Sequence, residues 1–177
     1  EMPGIPQVAV FDTAFHAHIP PRAYVYPLPY EYYERDGIRR YGFHGTSHYY
    51  VSSRAARLLE QPFEILRIIT CHLGNGCSID AVADGHAVDT SMGFTPLEGL
   101  MMGTRTGDID AAVALYIMRR HGFSPEEMDT VLNKKSGLLG VSGVSSDMRE
   151  VETAAGEGNE RAALAIDLYC YRIRKYI

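Results

Sequence analysis

The sequence predicts an α/β fold, a mixed sheet with helices. Two observations carry that expectation. Residues 67–91 alternate apolar and polar positions and are interrupted by Asn75-Gly76 and Asp84-Gly85. Such pairs supply the positive φ values of a type I′ turn, so three consecutive antiparallel strands are expected. Elsewhere, apolar residues recur at helical spacing, and Ser124-Pro125-Glu126-Glu127 forms a capping box with proline at the first helical position. The order of elements is not a uniform βαβ alternation. With 177 residues, 46% hydrophobic and 22% charged, the chain has the balance of a globular protein.

Taken in order, Val8-Ala9-Val10-Phe11 reads as a buried strand ending at Asp12. Ligands in open α/β sheets gather at such carboxyl ends. Residues 17–41 form an irregular connector, because Pro20, Pro21, Pro27 and Pro29 forbid a regular helix. A helix follows Gly45-Thr46-Ser47, with Val51, Ala55, Leu58 and Leu59 as its inward stripe and Pro62 as its stop. After the strands, the glycine-rich stretch 93–107 leads to a helix with Ile109, Ala112, Val113, Tyr116 and Ile117 facing inward. Asp108 suits its first turn. The helix after the capping box turns Met128, Val131 and Leu132 inward. A last helix from about Asn159 carries Ala162, Ile166, Tyr169, Ile173 and Tyr176 on one stripe.

The net charge of −5 argues against nucleic acid as a partner. No apolar run reaches the ~18 residues of a membrane span, and no signal-peptide pattern is present. Cys71, Cys77 and Cys170 show no metal spacing, so free thiols in a reducing compartment are expected.

Five short stretches could carry chemistry. His72-Leu73-Gly74-Asn75-Gly76 offers a hairpin tip whose backbone N–H groups can approach a phosphate, or it is a plain turn. Gly103-Thr104-Arg105-Thr106-Gly107-Asp108 offers a permanently charged fork to phosphoryl oxygens, or a loop arginine paired with Asp108 or Asp110. Gly42-Phe43-His44-Gly45-Thr46-Ser47-His48 places two histidines four apart. Gly45 lies between them and no Glu follows His44, so the zinc-protease pattern is absent, and His44 at a helix entry suits an anion better. Asp12 is a base, an orienting group or a helix cap. Ser145-Ser146-Asp147-Met148-Arg149 caps a helix or touches a nucleoside. Neither a Walker A sequence nor the protein-kinase motif set occurs, so nucleotide use would need another architecture.

Together these stretches resemble the acetate kinase family, the acetate/propionate kinases. The resemblance rests on Val10–His16, Arg39–His48, Thr70–Gly76, Asp89–Gly99 and Met102–Asp110, and it spans the chain in order. It implies the duplicated actin-like, Hsp70 and sugar-kinase ATPase fold. Residues 1–16 would be the tail of the N-terminal half, and 17–177 a partial C-terminal half with the phosphate-binding hairpin. The implied reaction is reversible phosphorylation of acetate by ATP to acetyl phosphate and ADP. Magnesium, a cytoplasmic location and a homodimer are implied with it.

By the same resemblance, Asp12 positions and activates the acetate carboxylate, Arg105 lies on the transferring phosphoryl group, and His44 stabilises the transition state. His72, Leu73, Gly74, Asn75 and Gly76 match the ATP phosphate hairpin. Asp147, Met148 and Arg149 fall where adenosine is contacted, and Phe43 and Pro96 match part of the acetate methyl pocket. The family's magnesium-linked residues have no counterpart here, so the chain is expected to be a central fragment, inactive alone, with Val8–Phe11 an unpaired edge. Rivals are a propionate or butyrate kinase, a non-catalytic nucleotide-binding module, and a metallohydrolase using His44 and His48.

Overall fold

The computed structural model describes residues 2–177. A 3-10 turn, Ala14–His18, leads through two short helices, α1 (Pro21–Tyr24) and α2 (Glu31–Asp36), to α3 (Gly45–Leu58). The prolines of the connector break it into these short turns, and Pro21 sits at the start of α1, where its missing N–H costs nothing. An isolated antiparallel bridge between Val25 and Arg39 closes the connector on itself. Arg40 then fastens it to the body. Its Nη1 donates to the carbonyls of Thr90, Ser91 and Met92 at 3.0–3.1 Å, and its Nη2 meets Glu98 at 2.6 Å.

After a second 3-10 turn, Phe63–Ile65, come β1 (Arg67–Leu73), β2 (Cys77–Ala83) and β3 (His86–Thr90). They form an antiparallel sheet in the order β1-β2-β3, as the alternation predicts. The second turn is of the expected kind, with Asp84 at φ 53° and Gly85 at φ 80°. The first is not. Leu73 pairs with Cys77, so the loop holds Gly74, Asn75 and Gly76, and neither Asn75 nor Gly76 has positive φ. The bond from the Gly74 N–H to the Gly76 carbonyl, 3.1 Å, tightens this wider loop.

The second half is helical: α4 (Ala111–His121), α5 (Pro125–Lys134), α6 (Gly137–Ser142), α7 (Met148–Gly156) and α8 (Glu160–Tyr176). The capping box at Ser124 and Glu127 forms with both of its bonds. Two cores meet at Tyr169 of α8. One gathers Cys77, Ile79, Met92, Leu100 and Met102 under Phe43, Tyr169, Ile173 and Tyr176. The other gathers Met101, Leu138, Val151, Ala162 and Ala165. Ala162 and Ala165 are fully buried and small, which lets α8 lie close to α6 and α7.

Three expectations fail for related reasons. Val8, Val10 and Phe11 are 84%, 75% and 70% exposed and belong to no strand, because no strand of the described sheet lies beside them. Helix α3 turns Gly45, His48, Ser52 and Ala56 inward, leaving Val51, Leu58 and Leu59 exposed. Helix α4 buries no residue, and Ile109, Val113 and Tyr116 are exposed. Its cap is Asp110, whose side chain accepts from the Ala112 N–H. Asp108 instead accepts from the Gly99 N–H and the Tyr176 hydroxyl. Apolar spacing finds an amphipathic helix but cannot say which face meets a neighbour.

Candidate active site

The entry to α3 is built around an unusual backbone. His44 sits at φ 61°, ψ 21°, a left-handed conformation costing roughly 1–3 kcal/mol in a non-glycine residue. That turn aims the His44 N–H at Asp12 Oδ2, 2.6 Å away, and the Gly45 N–H at the Asp12 carbonyl, 2.9 Å away. A Cβ on Gly45 would lie 2.4 Å from that carbonyl, so only glycine permits the approach. Asp12 therefore caps a helix 32 residues away in sequence, and the positive end of α3 favours its charge.

The β1–β2 hairpin tip closes on the same place. A Cβ on Gly76 would lie 3.2 Å from Arg105 Nη1 and 3.3 Å from His44 Nε2. The tip, the guanidinium and the imidazole thus converge on one small space. Arg105 Nη1 donates to the Pro96 carbonyl at 3.3 Å. It makes no carboxylate pair among the described residues, so the alternative pairing with Asp108 or Asp110 does not form. His72 lies beside His44 and its Nδ1 meets Ser47 Oγ at 2.9 Å. Burial holds the His44 pKa below the usual histidine value. His72 and Arg105 push it the same way, against the opposing pull of Asp12.

On its other side the hairpin borders a cavity of about 450 Å³. Leu73, Gly74 and Asn75 form one wall, and Ser146, Asp147, Met148 and Tyr169 face them. Gly103 also lines the cavity. Its N–H donates to the Asn75 carbonyl at 3.3 Å, and a Cβ there would come within 2.6 Å of Asn75 Oδ1. Asp147 forms the expected helix cap, accepting from the Arg149 N–H at 2.9 Å, and also borders the cavity. Arg149 does not line it. That side chain is 88% exposed and bonds back to Asp147, holding the Asp147 carboxyl down to about 2. Phe43 packs on the core beneath β2, and Pro96 lends its carbonyl to Arg105.

Sequence reasoning missed a buried polar cluster directly behind His44. Ser78 Oγ lies 2.9 Å from His44 Nδ1 and 2.7 Å from His48 Nε2. His48 Nδ1 meets Thr70 Oγ1 at 2.7 Å, and Asp80 Oδ2 meets His16 Nε2 at 2.7 Å. His16, His48 and Asp80 are each about 1% exposed or less. The signal was an aspartate and a serine within β2, a strand covered on both faces. Both ring nitrogens of His48 are engaged by hydroxyls, which leaves no lone pair for a zinc site with His44.

Comparison with known proteins agrees with this geometry. The Acetokinase family model matches residues 1–177. The acetate kinase of Halothermothrix orenii is 65% identical over 176 residues, covering 99% of this chain and 44% of that protein. The acetate kinase of Dictyoglomus turgidum is 61% identical with the same coverage. The crystal structure of Porphyromonas gingivalis acetate kinase superposes with a TM-score of 0.97 at 56% identity, over 98% of this chain and 44% of that one. A propionate kinase from Francisella tularensis superposes at 0.94 with 52% identity, over 98% of this chain and 44% of that one. The chain thus spans less than half the length of the relatives it matches. A match along the whole chain, on a fold that brings the same motifs together, leaves one assignment: the chain belongs to the Acetokinase family.

Proposed function

We propose that the intact protein transfers the γ-phosphoryl group of ATP to acetate, reversibly, giving acetyl phosphate and ADP. The observation that carries this reading is the convergence of Arg105 and His44 on the Gly76 hairpin tip, beside Asp12. An acetate oxygen attacks the γ-phosphorus, and the bond to the β–γ bridging oxygen breaks with its electron pair leaving on ADP. A carboxylate is already a nucleophile at neutral pH, so no strong base is needed. Charge spreads over the equatorial oxygens, where Arg105 and His44 supply fixed donors. Asp12 orients the acetate, the hairpin residues His72 to Gly76 hold the ATP phosphates, and Asp147 and Met148 border the space for the nucleoside. Phe43 and Pro96 form part of the pocket for the acetate methyl. Arg149 contacts adenosine only if it leaves its bond to Asp147.

Family membership implies magnesium. No group of three or more His, Cys, Asp or Glu side chains is placed to hold a metal among the described residues, and the ion's ligands are expected outside this chain. No step is assigned to the ion. Residues 1–16 are proposed to end one half of the protein, and 17–177 to form part of the other, within a cytoplasmic homodimer. The unpaired, exposed Val8–Phe11 segment supports that division. The 177-residue chain by itself is expected to show no turnover.

A second reading, propionate kinase, is favoured by the Francisella tularensis structure. One methylene is worth only about 1–3 kcal/mol of discrimination. The test is acyl phosphate formation from ATP by the intact protein, trapped as the hydroxamate, with acetate and propionate in parallel. Acetate should give the higher kcat/KM. Absence of any acyl phosphate would overturn the kinase reading, and a preference for propionate would exchange it for the second.

A further inference from the structure

We propose that Ser78, His48 and Asp80 form a buried positioning relay that fixes His44 as a neutral imidazole with its proton on Nε2, the nitrogen facing Arg105 and the hairpin tip. The inference deepens the phosphoryl-transfer reading above and rests on it for its kinetic consequences.

The argument is a count of protons along one line. Ser78 Oγ touches two ring nitrogens, His44 Nδ1 at 2.9 Å and His48 Nε2 at 2.7 Å. A hydroxyl has one proton and two lone pairs, and the buried Ser78 Oγ has no other hydrogen-bond partner among the described residues, so its proton is bonded only if it donates to one nitrogen and accepts from the other. His48 settles the direction. Its Nε2 also lies 3.4 Å from Asp80 Oδ1. A carboxylate oxygen only accepts, so a lone pair on that nitrogen would face a second acceptor. The arrangement without repulsion puts the His48 proton on Nε2. Nδ1 of His48 then accepts from the Thr70 hydroxyl at 2.7 Å. The Ser78 proton is thereby turned toward His44 Nδ1, and the His44 proton must sit on Nε2.

Nothing in the relay is free to rotate away. Ser78 and Asp80 are fully buried, His48 is 1% exposed, and His16 Nε2 anchors the other Asp80 oxygen at 2.7 Å. The groups facing His44 are Asp12, His48, His72, Asp80 and Arg105. Placing a second proton on His44 would set the Ser78 hydroxyl between two N–H groups, leaving its own proton unbonded unless His48 turned to its unfavourable tautomer. His44 therefore gives the developing phosphoryl charge a hydrogen bond without itself becoming a cation.

The test uses the intact native protein with nitrogen-15-labelled histidine. Imidazole nitrogen shifts should show His44 with its proton on Nε2 at neutral pH. In Ser78→Ala the two tautomers should mix, and kcat should fall by about 10- to 100-fold with little change in KM for ATP or acetate. The acid limb of the kcat profile should move to higher pH. Ser78→Cys, which keeps a weak donor, should restore part of the loss. A native His44 protonated on Nδ1 would overturn the proposal, as would Ser78→Ala with native tautomer and native kcat. If the native protein forms no acyl phosphate at all, the kinase reading fails while the nitrogen shifts still judge the relay.

Discussion

The imidazoles of His44 and His72 stack with ring centroids 3.9 Å apart and planes 19° apart. Two rings this close cannot both be imidazolium cations without strong repulsion. Burial already holds His44 below its usual range, and His72 pushes it the same way. Removing the neighbour should let His44 take a proton at higher pH. His72→Gln is expected to move the acid limb of the kcat–pH profile upward, whatever it does to the plateau. An acid limb left in place would show that His72 does not tune His44.

Arg105 carries the permanent charge of the site. Arg105→Ala should lower kcat by about 10³-fold or more, the loss typical of a phosphoryl-binding arginine. Arg105→Lys should recover only a small part, since an ammonium lacks the planar fork. The hydroxamate assay on the intact protein reads both. Turnover within a few-fold of native in the alanine variant would remove Arg105 from the mechanism.

His48 should make stability depend on acid. Burial lowers its pKa to about 4, against 6.5 in an unfolded chain. Between those values the unfolded chain takes up a proton that the folded one refuses, so stability is complete above pH 6.5 and drains away toward pH 4. The full effect is about 3 kcal/mol. Urea unfolding of native protein and His48→Gln at pH 7 and pH 5 should show the variant losing less between the two. Equal losses would contradict the assignment.

Gly103 lies where the hairpin meets the Ser146 turn. A methyl group there would press on Asn75 Oδ1 at 2.6 Å and the Ser146 carbonyl at 3.1 Å. Gly103→Ala should narrow the cavity, raising KM for ATP while leaving kcat for bound substrate nearly unchanged. Initial rates against ATP concentration separate the two. A fall in kcat at constant KM would mean the cavity is not the nucleotide's.

Where local chemistry decided the outcome, the sequence was legible. The capping box at Ser124, the Asp84-Gly85 turn and the strands of residues 67–90 form as their residue types dictate. The candidate site was legible as separate short motifs, rich in glycine, histidine and arginine, which the fold brings together. Partner choice was not legible. Val8–Phe11, the outer face of α3 and much of α4 carry apolar residues that face solvent. Hydrophobicity records that a surface wants a partner, not whether the partner lies within reach. The relay behind His44 escaped notice for a different cause. Ser78 and Asp80 are ordinary residues for an exposed strand face, and only the fold reveals that this face is covered.

The Gly74–Gly76 loop borders the cavity proposed for the nucleotide with one side and His44 and Arg105 with the other. In the proposed mechanism, grip and chemistry therefore share one loop. A substitution within the loop itself is expected to move affinity and speed together. Evolution or engineering aimed at this loop cannot trade one for the other. A variant tuned for weak binding with fast turnover must be sought on the far wall, at Ser146 and Met148, where the two demands come apart.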